Sequence, residues 1–195
     1  MVRIGIIVEG DCERIVLKSI AFRNYLALKK IELVDDIINM GGKGNLTQSS
    51  KRMLSQVQTL RDLGADHIVV LRDLDEPESL ESVARIKAEI QRADNMSVCL
   101  AIQELEAWFL ADSATLSILF NTAFYCEKPQ IINKPAIHLS ELRMTYIQRG
   151  ISDKKGFASA MINNGFTIER AAVHPNCPSA RYFLSTLQTI ASATI

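Results

Sequence analysis

The stretch Val2-Arg3-Ile4-Gly5-Ile6-Ile7-Val8-Glu9-Gly10-Asp11-Cys12-Glu13-Arg14 decides the fold. Up to Val8 it is an aliphatic run of strand length, and from Asp11 it opens a helical pattern, so Glu9 and Gly10 mark a strand-to-helix junction. The run His67-Ile68-Val69-Val70-Leu71 repeats the arrangement and delivers Arg72-Asp73-Leu74-Asp75-Glu76 before Pro77, which reads as the start of the next helix. In an open parallel sheet, functional groups gather at the carboxyl ends of strands. Acids from two such ends can meet there, and clustered carboxylates are what a hard divalent cation needs.

Outward from these junctions, strand and helix patterns alternate. Leu17, Ile20, Ala21, Tyr25 and Leu28 recur at helical spacing after Gly10, and Lys29-Lys30 closes that helix with cations suited to its dipole. Ile31 to Met40 reads as a second strand with Asp35-Asp36 in its middle, and Gly41-Gly42-Lys43-Gly44-Asn45 as a flexible loop. A polar helix follows from about Leu46 to Leu63, then the His67 strand, then a helix carrying Leu80, Val83, Ala84, Ile86 and Ile90. Met96 to Ile102 makes a fourth strand, and Gln103 to Asp112 begins another helix.

This alternation predicts an α/β protein with a parallel sheet flanked by helices. The sheet core covers about residues 1–112 of one domain, and about 113–195 form a helical extension punctuated by Pro129, Pro135, Gly150, Gly156 and Gly165. At 195 residues with 48% hydrophobic content the chain can bury a sizeable core. Its 22 basic and 22 acidic residues cancel, which excludes the strongly basic footprint of a nucleic-acid coat protein and leaves only local or transient contact with nucleic acid. Cys12, Cys99, Cys126 and Cys177 lack zinc-like spacing and read as buried free thiols. With no signal-type start and no apolar stretch approaching the roughly 20 residues that span a bilayer, the expected location is the cytoplasm, away from membranes.

The acids carry the chemistry. Glu13 lies four residues after Glu9, on the same helical face if the helix reaches back that far, and two carboxylates so close favour a cation between them. Asp73 and Asp75 flank Leu74, so an extended backbone sends both to one side. Glu104 and Glu106 bring further acid to the same sheet edge, although a first-turn acid often serves only the helix dipole. Each is also explicable as a solvated surface acid; their recurrence at successive strand ends distinguishes them. Gly41-Gly42-Lys43-Gly44 lacks the order of a Walker loop but can offer Lys43 and backbone amides to a phosphate. Lys154-Lys155 forms a second local positive patch. His67, His138 and His174 lack evident partners for a nucleophilic triad. Trp108, Phe109 and Leu110 read as core anchors between sheet and extension.

Val8-Glu9-Gly10-Asp11-Cys12-Glu13 resembles the VEGxxE opening of TOPRIM domains, and Asp73-Leu74-Asp75 resembles their DxD. Ala107-Trp108-Phe109-Leu110-Ala111-Asp112 after Glu104, with Ser179-Ala180-Arg181-Tyr182-Phe183 near the end, looks like a bacterial family of stand-alone TOPRIM-like proteins related to the nuclease half of OLD proteins. The resemblance implies Glu9, Glu13, Asp73, Asp75 and Glu104 as acids around Mg²⁺ or Mn²⁺, with Glu9, Asp73 and Asp75 catalytic. It implies Lys154 or Lys155 as the late lysine of OLD-type nucleases. It further implies phosphodiester cleavage in DNA or RNA, with a partner ATPase in a phage-defence or toxin system. A topoisomerase tyrosine domain, a primase zinc module and the ATPase half of OLD proteins have no counterpart here. The alternative is a non-catalytic TOPRIM-like module that binds nucleic acid or a partner. A phosphorylated receiver domain shares acids at strand ends but predicts a shorter chain.

Overall fold

The computed structural model describes residues 1–76, 78–91 and 93–193. Five strands, β1 (Val2–Val8), β2 (Ile31–Leu33), β3 (Ile38–Asn39), β4 (His67–Asp73) and β5 (Met96–Ala101), form one sheet in the order β2-β1-β4-β5, with β3 also paired to β1. Every pairing is parallel. The register sets Val8 opposite both Asn39 and Leu71, and Asp73 opposite Ala101, so four strands finish along one edge.

Alternation along the strands sends side chains to two apolar layers. Ile4, Ile6, Val8, Val69, Leu71, Cys99 and Ala101 face α1 (Asp11–Leu17), α2 (Ile20–Leu28), α5 (Glu106–Ala111) and the C-terminal helices. Ile7, Ile68, Val70, Val98 and Leu100 face α3 (Lys51–Asp62) and α4 (Leu80–Ile90). The late helices α6 (Ser113–Phe120), α7 (Pro135–Ile147), α8 (Lys154–Asn163), α9 (Ile168–Val173) and α10 (Pro178–Ser192) share the first layer. Phe157, Phe166 and Phe183 therefore pack into the same cluster as Val8 and Trp108. Among the described residues no helix is long and apolar enough to cross a membrane, and all four cysteines are free, with Cys99 and Cys177 buried.

Several boundaries differ from the sequence reading, each for a local reason. The segment read as one strand from Ile31 to Met40 is two short strands. Asp35 Oδ1 accepts the Asp36 N–H and Asp36 Oδ1 accepts the Ile37 N–H, turning the backbone away from the sheet between them. The first helix breaks in two because Ser19 accepts the Phe22 N–H and caps a new start. The third helix begins at Lys51, capped by Ser50, after a 3₁₀ turn over Lys43–Leu46. Pro77 lies outside the described residues; α4 starts at Leu80 with Ser79 and Ser82 forming a reciprocal cap. The helix expected from Gln103 begins at Glu106 and gives way to α6 at Asp112, which accepts the Thr115 N–H.

Gly5 sits where α3 crosses β1. A Cβ there would stand 2.5 Å from Leu60 Cδ1, and Leu60 is fully buried. Gly5→Ala should therefore cost about 1–3 kcal/mol of stability through overpacking. Denaturant unfolding measures it, and a loss below ~0.5 kcal/mol would show that the helix simply shifts aside.

Candidate metal and catalytic site

The acids come from four elements that converge on the carboxyl edge of the sheet. Glu9 leaves β1 with its N–H donated to the Leu71 carbonyl (3.2 Å), while its own carbonyl accepts the Gly42 N–H (2.9 Å), tying the glycine loop to the junction. Gly41 and Gly42 have φ of 70° and 120°, which only glycine adopts without strain. Asp73 ends β4 and accepts the Leu105 N–H on Oδ1 at 2.8 Å. Glu13 lies in α1 and Glu106 opens α5, each 3% exposed.

Glu9, Glu13, Asp73 and Glu106 disturb one another. Burial, reinforced by the charges of Glu13, Glu106 and Glu9, raises the Asp73 carboxyl well above the usual range. Burial also lifts Glu13 to about 7, with Glu9 and Glu106 adding to the rise. Glu9 is raised by burial against the pull of Arg72, and Glu106 by burial against the pull of Lys154. Glu9 Oε2 and Glu106 Oε2 are buried without a hydrogen-bond partner. Mutually repelling, incompletely satisfied carboxylates are stabilised by further positive charge. Beside them the Cys12 thiol is pushed up to about 12 by burial and by Glu106 and Glu13, so it stays protonated.

The nearby cations divide into distinct tasks. Lys154 Nζ lies 3.0 Å from Glu104 Oε1 and 3.5 Å from Glu106 Oε1. Burial disfavours its charge, but Glu106 and Glu104 outweigh that and hold the ammonium above its ordinary range. Lys155 is exposed and pairs with Asp11. Arg72, 6% exposed, donates from Nε to its neighbour's carbonyl at Asp73 (2.9 Å) and stands 3.6 Å from Glu9 Oε2.

The structure rearranges the expected set. Glu9, Glu13 and Asp73 are brought together, although Glu9 precedes the helix rather than sharing a face of it. Asp75 does not follow Asp73 to one side: the strand ends at Asp73, and Asp75 takes a left-handed φ of 62°. It meets Lys43 at 3.0 Å and Arg72 at 3.9 Å instead. Glu104 spends one oxygen on Lys154 and the other on the Ala136 N–H (3.0 Å), joining the sheet edge to α7. The inward-facing acid is Glu106, which the ligand set read from the sequence omitted. Its signal was a second acid two residues after Glu104, and only the helix phase decides which one points inside. Among the described residues no group of three or more His, Cys, Asp or Glu side chains stands ready to enclose an ion. The all-oxygen donor set and two orphaned oxygens nonetheless suit a hard cation, once the side chains close on it.

The shift of Glu13 sets a pH dependence. Between about 4.5 and 7 the native state keeps the Glu13 proton and the unfolded chain has lost it, so unfolding free energy falls as pH rises through that window. In chelator, the melting temperature of the wild type should fall more steeply across the window than that of Glu13→Gln. Parallel pH profiles for the two proteins would refute this.

Fold and site together define a parallel α/β domain with a carboxylate cluster at the carboxyl edge of its sheet. The chain belongs to the family described as domain of unknown function (DUF4276), which matches residues 8–188. No curated protein and no solved structure matches it.

Proposed function

We propose that this protein is a TOPRIM-like nuclease that cleaves phosphodiester bonds of DNA or RNA with Mg²⁺ or Mn²⁺. The supporting observation is the set of buried, mutually repelling carboxylates of Glu9, Glu13, Asp73 and Glu106, with one oxygen each on Glu9 and Glu106 that accepts no hydrogen bond. Glu9, Asp73 and Glu106 would hold the ion and Glu13 would support it; Asp75 and Glu104 take part through Lys43 and Lys154. Such an ion, when bound, activates water and neutralises charge on phosphoryl oxygens.

The chain's own residues do the rest. Lys154, held charged by two glutamates, stands where it can stabilise negative charge developing on the phosphorus oxygens. Arg72 fixes the backbone at Asp73 and offsets the Glu9 charge. Lys43, on the loop hydrogen-bonded to Glu9, can meet a neighbouring phosphate by leaving Asp75. With no net charge overall, the protein's grip on a polyanion is local, which favours transient contact and a partner ATPase that delivers the substrate in a defence or toxin setting. Four free cysteines suit a reducing cytoplasm.

The test is cleavage of single- and double-stranded DNA and RNA with Mg²⁺ or Mn²⁺ against chelator, alongside metal-induced thermal stabilisation. Lys154→Met should lower the rate on the order of 10²–10³-fold, as loss of one transition-state cation does, while metal still stabilises the fold. Lys155→Met should leave the rate nearly unchanged because that side chain engages Asp11. Equal effects of the two substitutions would remove Lys154 from its role. Metal stabilisation without cleavage of any nucleic acid would instead favour a binding module.

A further inference from the structure

A cavity of about 450 Å³ opens beyond the end of β5, where Gln103 bonds the DxD segment at Asp75, and no step of the cleavage chemistry uses it. Its apolar lining comes from Ile102, Ile131 and Pro178. Two carboxamides accompany them, those of Gln103 and Gln130, each only 6% exposed. Glu78 and Lys128 also line it, so its formal charge is balanced and a neutral ring matches it better than a free anion.

Among the described residues both carboxamides have hydrogen-bonding groups left over. The Gln103 side chain makes no hydrogen bond among the described residues, although the residue is buried. Its backbone is held in a left-handed conformation at φ 63°, with its carbonyl accepting the Asp75 N–H at 2.8 Å. A long side chain rarely occupies that conformation, and here the DxD segment holds it in place. Gln130 reaches Ser179 with one end of its amide, and Oε1 is buried without a partner. Because Ser179 Oγ already accepts from Trp108 Nε1 at 2.8 Å, turning the Gln130 amide over would let it take the serine proton. The amide nitrogen would then be the orphan. In either orientation one polar end of Gln130 lacks a partner, and a buried unpaired amide group costs about 1–3 kcal/mol.

Apolar walls with one carboxamide short of a partner at a buried end, and a second that makes no hydrogen bond among the described residues, are complementary to a flat heteroaromatic ring that carries donors and acceptors on its edge. Asn and Gln side chains read adenine in this way, with donor and acceptor side by side. Enzymes acting on nucleic acid take an unstacked base into such pockets. We infer that this cavity is a nucleobase pocket that receives one unpaired base of the substrate strand, adenine best, and so sets the strand's register against the acids. The identity of the polymer rests on the nuclease reading above; base recognition by the cavity stands on its own geometry.

The experiment uses adenosine 5′-monophosphate as probe, with ribose 5-phosphate as its base-free control, followed by ligand-observed NMR and calorimetry in chelator. Gln103→Gly removes the carboxamide and relaxes the positive φ, so it should fold; Ile131→Ala trims a wall from an exposed side chain and leaves the Ser179 hub intact. The expected result is binding of the mononucleotide and not of the sugar phosphate, weakened tenfold or more by Gln103→Gly and measurably by Ile131→Ala. Equal affinity for the sugar phosphate, no binding by the wild type, or full binding by Gln103→Gly would overturn the inference. Metal-dependent cleavage by a protein that ignores the mononucleotide would remove the base pocket and leave the nuclease. Base binding without cleavage would keep the pocket and remove the nuclease.

Discussion

Asp73→Asn should make the metal-free protein more stable while eliminating its response to Mg²⁺ and its cleavage of nucleic acid. Asparagine keeps an oxygen for the Leu105 N–H, so the 2.8 Å bond that fixes the start of α5 survives. What disappears is the cost of keeping a carboxyl among Glu13, Glu106 and Glu9 in a buried site. That cost grows with pH above the ordinary carboxylate value, because the unfolded chain ionises freely while the native carboxyl resists. The gain should therefore be absent near pH 4 and rise towards pH 8, with each kcal/mol worth about 2–4 °C at this chain length. Activity should fall on the order of 10²-fold or more, since transition-state charge loses its support. A scan of melting temperature against pH, with and without Mg²⁺, decides the matter. A lower melting temperature for Asp73→Asn at pH 8 would mean that the carboxylate stabilises the fold and that no metal is needed to explain it. Alanine is the poorer test, because it also strands the Leu105 N–H.

Trp108→Ala should be the most damaging substitution in the core, costing about 3–5 kcal/mol. The indole is fully buried, lies 5.7 Å from the Phe183 ring and donates from Nε1 to Ser179 Oγ. Its loss opens a cavity where α5 meets α10, and removes the donor from a serine that also engages Gln130. Because α5 carries Glu106 and follows the Leu105 contact to Asp73, loosening this layer also loosens the acids. Calorimetric unfolding should show a drop on the order of 10 °C. Trp108→Phe keeps most of the packing and should lose less, about 1–2 kcal/mol from the missing hydrogen bond and smaller ring. Equal losses for the two substitutions would mean that the hydrogen bond, not the ring volume, dominates at this position.

Much of the fold was legible because apolar runs bounded by turn residues specify parallel strands with little ambiguity. Val2–Val8 and the His67–Leu71 part of β4 were evident from aliphatic content alone, with β4 running two residues further to Asp73, and both core layers follow from their alternation. Local side-chain hydrogen bonds were harder to read. Ser19 splitting the first helix and Asp35 and Asp36 splitting the second strand depend on hydroxyl and carboxylate contacts that compete with secondary structure over only a few residues. Trp108 and its neighbours are the core anchors that their continuous apolar setting indicates.

The sequence by itself determined that acids would stand at the ends of β1 and β4 and after β5, because strand ends and turn residues are written locally. It could not determine which acids face one another. Whether Asp75 joins Asp73 depends on one backbone dihedral after the strand, fixed by its N–H bond to Gln103. Whether Glu104 or Glu106 points inward depends on where α5 starts. Which lysine reaches the acids depends on the angle at which α8 docks, and that brings Lys154 to Glu104 and leaves Lys155 with Asp11. These choices are made by contacts between residues distant in the chain, from β1 to α8, and burial then converts that proximity into the raised proton affinities that mark the site.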